Sequence, residues 1–188
     1  TLTSKIFIEG YYSYGFMQPA LVNQGVSSNY LDVDTITAFL YDSLNTNTPV
    51  CSVKSIVDVY GNVTFSFPGT YIGNRYFLAF KSRNSLLTFT STTKLLQQQM
   101  TLDFTTSSSA AAGSNLAAVD AGTFALYSGD INQDENIDLL DALQLDQDIN
   151  NFQFGYQLSD LNGDGNVDLL DLPVLEPNVN NFIYSVHP

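Results

Sequence analysis

The 188-residue chain has no tryptophan, one cysteine (Cys51) and one histidine (His187). A single thiol excludes an internal disulfide. Within the run Val50 to Val53 that thiol is expected to serve as a small buried hydrophobe, and His187, the penultimate residue, as part of a mobile tail rather than as a base. No glycine-rich loop of the phosphate-cradling kind occurs, and no nucleophile has a matched base, so the chain is read as non-enzymatic. No apolar run approaches the length of a membrane span, which argues against membrane insertion. The chain opens on Thr1 without a signal-type segment, which leads to the expectation of a mature product or an excised C-terminal fragment.

Basic residues are scarce and lie on one side of the sequence. All six Lys and Arg fall in residues 1–94 beside five acids, whereas residues 95–188 hold fourteen acids and no Lys or Arg. The net charge of -13 excludes nucleic acid and anionic membrane surfaces as natural partners, since both are drawn to basic patches. An acidic half of this kind repels itself unless cations are bound.

What the chain does contain is apolar residues enough for a core, 44% of the total with 13% aromatic. Residues 1–104 read as short strands between turn signals: Lys5 to Glu9, Thr35 to Tyr41, Val50 to Val59, Val63 to Phe67, Arg75 to Lys81, Ser85 to Phe89 and Met100 to Phe104. Val63, Phe65 and Phe67 alternate with Thr64 and Ser66, the period of a half-buried strand. The expected fold is mainly β, an antiparallel immunoglobulin-like β-sandwich followed by a small α-helical module. Residues 105–123, rich in Ser, Ala and Gly, read as a linker or long loop, with an irregular strand across the sandwich as the alternative. Residues 124–188 form the second domain. The cluster Tyr11, Tyr12, Tyr14 and Phe16 could stack on carbohydrate, but an edge strand with inward aromatics is the preferred reading.

One acidic phrase is written twice in the second domain. The first copy runs Asp130-Ile-Asn132-Gln-Asp134-Glu-Asn136-Ile-Asp138-Leu139-Leu140-Asp141, and the second Asp160-Leu-Asn162-Gly-Asp164-Gly-Asn166-Val-Asp168-Leu169-Leu170-Asp171. Positions 1, 3, 5, 7, 9 and 12 are Asp, Asn, Asp, Asn, Asp and Asp in both, the spacing by which a twelve-residue loop supplies oxygens to calcium. A solvated acid tail would not repeat in register. Aligning 129–152 with 159–182 leaves twelve identities in twenty-four positions, including the closing Asn-Asn-Phe. Glu135 stands at the position where the loop turn favours glycine, so the second site is expected to fill first.

These residues resemble a dockerin, the paired calcium-loop-and-helix module of bacterial extracellular proteins, with Asp rather than Glu at position 12. The resemblance implies two Ca2+ sites. Asp130, Asn132, Asp134, Asp141 and the carbonyl of Asn136 would hold the first ion, and Asp160, Asn162, Asp164, Asp171 and the carbonyl of Asn166 the second, with Asp138 and Asp168 acting through water. It also implies a cohesin-like or surface-protein partner, read at loop positions 10 and 11 by Leu139, Leu140, Leu169 and Leu170. The order of Arg75 to Leu87 and then Ser128 to Asp134 is similar to C-terminal regions of large secreted Bacteroidota proteins, which implies an extracellular or cell-surface setting with a role in attachment or adhesion.

A helix is expected after each loop, with Leu140, Leu143 and Leu145 as an apolar stripe on the first and with Pro177 stopping the second early. Ile137 and Val167 are expected to point inward and pair the two loops, and Phe152 and Phe182 to plug the core. Exposed leucine pairs would mark an interaction surface, and buried ones a self-contained structural module, which is the favoured reading of the sequence.

Overall fold

In the long strand Asp32–Asp42, Ile36, Ala38 and Leu40 are buried and alternate with half-buried Thr35, Thr37 and Phe39. This period of two gives the sheet one face for a core. The computed structural model describes residues 1–188. Its strands are β1 (Leu2–Lys5), β2 (Tyr12–Ser13), β3 (Phe16–Met17), β4 (Asp32–Asp42), β5 (Cys51–Asp58), β6 (Asn62–Phe65) and β7 (Arg75–Lys81). They continue with β8 (Thr88–Phe89), β9 (Lys94–Leu95), β10 (Met100–Asp103), β11 (Ala117–Asp120) and β12 (Thr123–Ala125). The helices are α1 (Ala20–Asn23), α2 (Leu139–Asn150) and α3 (Leu172–Asn180).

A five-stranded sheet is ordered β5-β4-β7-β8 with β9 also on β7, and a three-stranded sheet is ordered β10-β1-β6. Phe80 of β7 packs against Phe65 of β6 at 5.8 Å between ring centroids and against Phe104, just beyond β10, at 5.1 Å. Those rings close the space between the sheets, and each fully buried one contributes roughly 1.5–3 kcal/mol. The result is a β-sandwich, although not wholly antiparallel: β1 runs parallel to β10 while pairing antiparallel with β6. Leu2 and Ser4 are the buried positions of β1, and the chain then turns through a 3-10 segment at Glu9–Tyr11 where a strand through Glu9 was expected.

Residues 105–123 lie on the sandwich rather than hanging free. Ala111 bridges to Thr90, Leu116 joins the main core, and β11 folds back on β12. Small side chains let this stretch approach the sheet edge closely. Cys51 is half-buried against the core. Of the first aromatic cluster, Tyr11 is fully buried while Tyr14 faces solvent at the turn between β2 and β3, so the four rings do not share one face.

Candidate metal centres and interaction surface

The two acidic loops close in the same way. In the first, Asp141 accepts at Oδ1 from the N–H groups of Ile131 (2.8 Å) and Asn132 (3.1 Å), and at Oδ2 from Asp138 N–H (2.9 Å). In the second, Asp171 accepts at Oδ1 from Leu161 (2.7 Å) and Asn162 (3.0 Å), and at Oδ2 from Asp168 (3.0 Å). Position 12 therefore ties each loop back onto its own start. Asp134 and Asp164 take the same place in their loops, each accepting from an Asn amide two residues before and from the Asn N–H two residues after. Asp138 and Asp168, expected to act through water, accept from Leu140 and Leu170 N–H at 2.7 Å. Asp138 thereby caps α2 in a capping box with Asp141.

Asp130, Asp141, Asp160 and Asp171 are fully buried, the positions 1 and 12 of both loops. Asp130 Oδ1 has no hydrogen-bond partner. A buried carboxylate oxygen left bare is costly, and this donor set of carboxylates, Asn amide oxygens and a backbone carbonyl suits a hard cation such as calcium. No three Asp, Glu, His or Cys side chains converge closely enough to hold an ion by themselves, so an ion held in either loop would draw on Asn and backbone oxygens as well.

Burial raises the carboxyls of all four residues above their ordinary range, and Asp171 is pushed up to about 6 from 3.8. The folded chain without metal therefore holds more protons than the unfolded chain in that window, and its stability falls as pH rises through it. Calcium requires these carboxylates deprotonated, so its affinity rises over the same window. The expected outcome is a resin-stripped protein whose melting temperature drops between about pH 4 and pH 7, and a calcium-loaded protein in which the drop is removed or reversed. A metal-free melting temperature that climbs over this range would contradict the burial argument.

Glu135 is left-handed at φ +72, as its place in the turn requires, and Gln133 is left-handed as well at φ +63. Their counterparts in the second loop are Gly163 and Gly165. Each side chain in this region costs roughly 1 kcal/mol, so the first loop carries strain that the second avoids. Gly165 is needed for a second reason, because a Cβ there would lie 2.5 Å from the carbonyl oxygen of Asn23. Glu135 instead meets His187 at 2.5 Å, and the His187 ring rests on Phe89 with centroids 4.6 Å apart, so the C-terminus is anchored rather than mobile.

Ile137 and Val167 are buried as expected, but they do not pair the loops with each other. Ile137 N–H donates to Ile183 O (2.8 Å) and Val167 N–H to Gln153 O (3.2 Å), so each loop pairs with the chain that leaves the opposite helix. α3 starts three residues later in its repeat than α2, because Pro173 has no N–H to bond Leu169. It runs through Pro177 to Asn180 where an early stop was expected. Leu145 and Leu175 fill the small core of the module. Leu140 and Leu143 point outward, so the expected stripe on α2 is reduced to Leu145 with Ala142 and Ile149 behind it.

All four residues at loop positions 10 and 11 are exposed: Leu139 at 75%, Leu140 at 58%, Leu169 at 67% and Leu170 at 63%. Phe152 and Phe182, expected in the core, are 85% and 82% exposed. They sit at φ +53 just past α2 and α3, where the left-handed exit from a helix turns the side chain away from the body. A groove lined by Leu139, Ala142, Leu172, Leu175, Val179 and Asn180 sets the start of α2 beside the end of α3.

Residues from the sandwich hold the module from the other side, and sequence reasoning did not single them out. Arg83 Nε lies 2.7 Å from Asp34 Oδ2, its Nη2 donates to the Tyr11 hydroxyl (2.7 Å), its Nη1 reaches Gln157 O, and it stacks 4.5 Å from the Tyr156 ring centroid. Asn84 donates to Leu158 O and Asp160 O at 3.2 Å. Buried Asn178 donates to Glu9 Oε2 (2.7 Å) and Ser128 O (2.9 Å). Gln24 donates to Asp160 Oδ2 (2.6 Å), and Asn23 to Gly163 O (2.8 Å). A Cβ on Gly10 would fall 2.0 Å from Leu161 O, so only glycine permits this backbone approach. The one available hint was charge, since the bases lie in the half of the sequence opposite to most of the acids.

A family model described as the dockerin type I domain matches residues 128–180. The whole chain is similar to a chain from the crystal structure of a type II Cohesin-X-Dockerin complex from Acetivibrio cellulolyticus, a C-terminal interface mutant. That match has a TM-score of 0.54 at 15% identity and covers 95% of this chain and 94% of the other. An N-terminal interface mutant of the same type of complex matches with a TM-score of 0.52 at 15% identity, covering 97% and 98%. At that identity the likeness is one of fold. No curated protein matches the chain. The part of the chain that matches the dockerin type I family model, residues 128–180, is preceded by a β-sandwich. No helix is long and apolar enough to cross a membrane.

Proposed function

We propose that the chain is a non-catalytic, calcium-dependent docking unit of a secreted or cell-surface protein, and that its dockerin module engages a cohesin-like receptor. In this reading the chain divides into a sandwich at 1–104, a packed connection at 105–123 and the module at 124–188. Asp130, Asn132, Asp134, Asn136 and Asp141 hold one calcium ion, and Asp160, Asn162, Asp164, Asn166 and Asp171 a second. Asp138, at the start of α2, and Asp168, in the turn ahead of α3, reach their ions through water. The observation that carries the reading is the exposure of both leucine pairs, which reverses the preference for a self-contained structural module. Four large apolar side chains in solvent, repeated in register, are what a docking surface requires. Likeness over nearly the full length of a chain from a Cohesin-X-Dockerin complex supports the same reading, with the sandwich as a rigid seat for the module.

The test is calorimetric titration of the calcium-loaded chain with representative type I and type II cohesins. At least one should bind, and replacing Leu139, Leu140, Leu169 and Leu170 together by Ser should weaken binding by about 30-fold or more, as loss of a central apolar anchor does. The melting temperature should fall by only a few degrees, because these side chains are mostly exposed and Leu139 alone of the four lines the groove between α2 and α3. Undiminished cohesin binding by the quadruple variant would sink the assignment of this surface.

A further inference from the structure

We propose that Lys81 of the sandwich is a built-in competitor for the cation of the first loop, so that this site fills only by exchanging an ammonium group for the ion. The inference rests on the calcium reading above. Lys81 ends β7, and its Nζ lies 2.9 Å from Oδ2 of Asp130, the first position of the first loop. The Lys81 side chain is 15% exposed and that of Asp130 0%. The pair satisfies only one oxygen, since Asp130 Oδ1 is buried with no partner. A carboxylate so placed is already drawn towards positive charge and is left incompletely served by a monovalent head.

The second loop is held differently. Its first carboxylate, Asp160, receives the Gln24 side-chain amide at 2.6 Å and the N–H groups of Gly163 (2.9 Å) and Gly165 (3.0 Å). These donors are neutral and serve both oxygens. Neutral dipoles can stay in place when a divalent ion binds the remaining lone pairs. An ammonium on the same carboxylate cannot stay without strong repulsion, because like charges a few ångströms apart oppose each other even near the surface. Calcium sites are tuned by ligand charge count, and Lys81 lowers the effective count of the first loop by one.

The displaced side chain has somewhere to go. A cleft of about 360 Å³ opens beside it, lined also by Thr35, Thr37, Ser52, Gln133 and the cations Lys54 and Arg83. The flexible lysine stem can lie along this cleft with its ammonium carried out into water, away from those like charges, without burying an unpaired charge. Filling the first site thus releases one tie between the sandwich and the module, whereas filling the second leaves its ties intact. The strain at Gln133 and Glu135 acts in the same direction, and the first site is the weaker of the two on both counts.

The experiment is a calcium titration of the full-length, metal-stripped chain by calorimetry, comparing wild type with Lys81→Met, and with Asp134→Ala to assign the first loop. Lys81→Met should raise the affinity of the weaker site by roughly tenfold or more and leave the tighter site unchanged within about twofold. It should also lower the metal-free melting temperature. If wild type takes up only one ion, Lys81→Met should restore the second. An unchanged or weakened first site in Lys81→Met would make Lys81 a structural tie only and overturn the inference, while the calcium reading would survive through the second loop. Absence of calcium uptake by either loop of wild type would instead overturn both. A measurement on wild type alone guards against a variant that fails to fold: the Lys81 ammonium NMR signal, protected in the metal-free chain, should be lost with the second equivalent of calcium. Its persistence through both equivalents would overturn the exchange.

Discussion

Removing calcium should lower the melting temperature of the whole chain by on the order of 10 °C per site, in one transition that takes the sandwich with it. Ligand at a thousandfold excess over its dissociation constant stabilises a fold by about 4 kcal/mol per site, and a domain of this size gains about 2–4 °C per kcal/mol. A single transition follows from the seat of the module. Arg83, Asn84, Gln24 and Asn23 reach from the sandwich to the backbone and carboxylates of the second loop and its approach, and Asn178 reaches back to Glu9. A module of about sixty residues has a small core, here six buried residues of its own around Leu145 and Leu175 with Leu86 of the sandwich packed among them. Calorimetric scanning with and without a chelator checks the expectation. An unshifted profile would remove the energetic role of the metal, and a separate early transition with the sandwich melting as before would remove the coupling.

The second large effect is expected at Arg83. Replacing it with Met strips the cation from Asp34, which is fully buried, and leaves the Gln157 carbonyl and the Tyr156 ring without their partner. Breaking one side of a buried ion pair costs about 3–5 kcal/mol because the other charge remains in place unpaired. The Arg83→Met chain should therefore melt on the order of 10 °C below wild type. The double variant Asp34→Leu with Arg83→Met should recover part of the loss, since no bare carboxylate remains. Thermal melts of the single and double variants decide this, and a single variant that melts with wild type would show that the sandwich does not depend on this network.

Much of the module was legible because its logic is local. The matched closure of the two twelve-residue loops, a helix after each and a left-handed turn at Glu135 all follow from short stretches of chain. The same logic applied to Gln133, which aligns with Gly163, would have found the second left-handed residue. The crossed pairing of Ile137 with Ile183 and of Val167 with Gln153 was not legible, since it depends on where each helix delivers the chain. Phe152 and Phe182 were misplaced for a related reason. Matched aromatics suggested a core, whereas the backbone reversal after each helix turns them outward. In the sandwich, turn signals around strand-forming runs located β4 and β7 and alternation located β6, but the parallel pairing of β1 with β10 joins residues nearly a hundred positions apart. The polar seat between the two parts was hidden because Asp34, Arg83 and Asn178 look like ordinary strand and helix polar residues until the fold brings them together.

The most direct test is a crystal structure of the chain grown with ample Ca2+. Density for an ion should appear within the second loop, enclosed by Asp160, Asn162, Asp164, the Asn166 carbonyl and Asp171, at the 2.3–2.6 Å typical of calcium–oxygen contacts. Well-ordered loop residues surrounding only solvent, with Asp171 still tied to Leu161 and Asn162 and no metal between it and Asp160, would contradict the account.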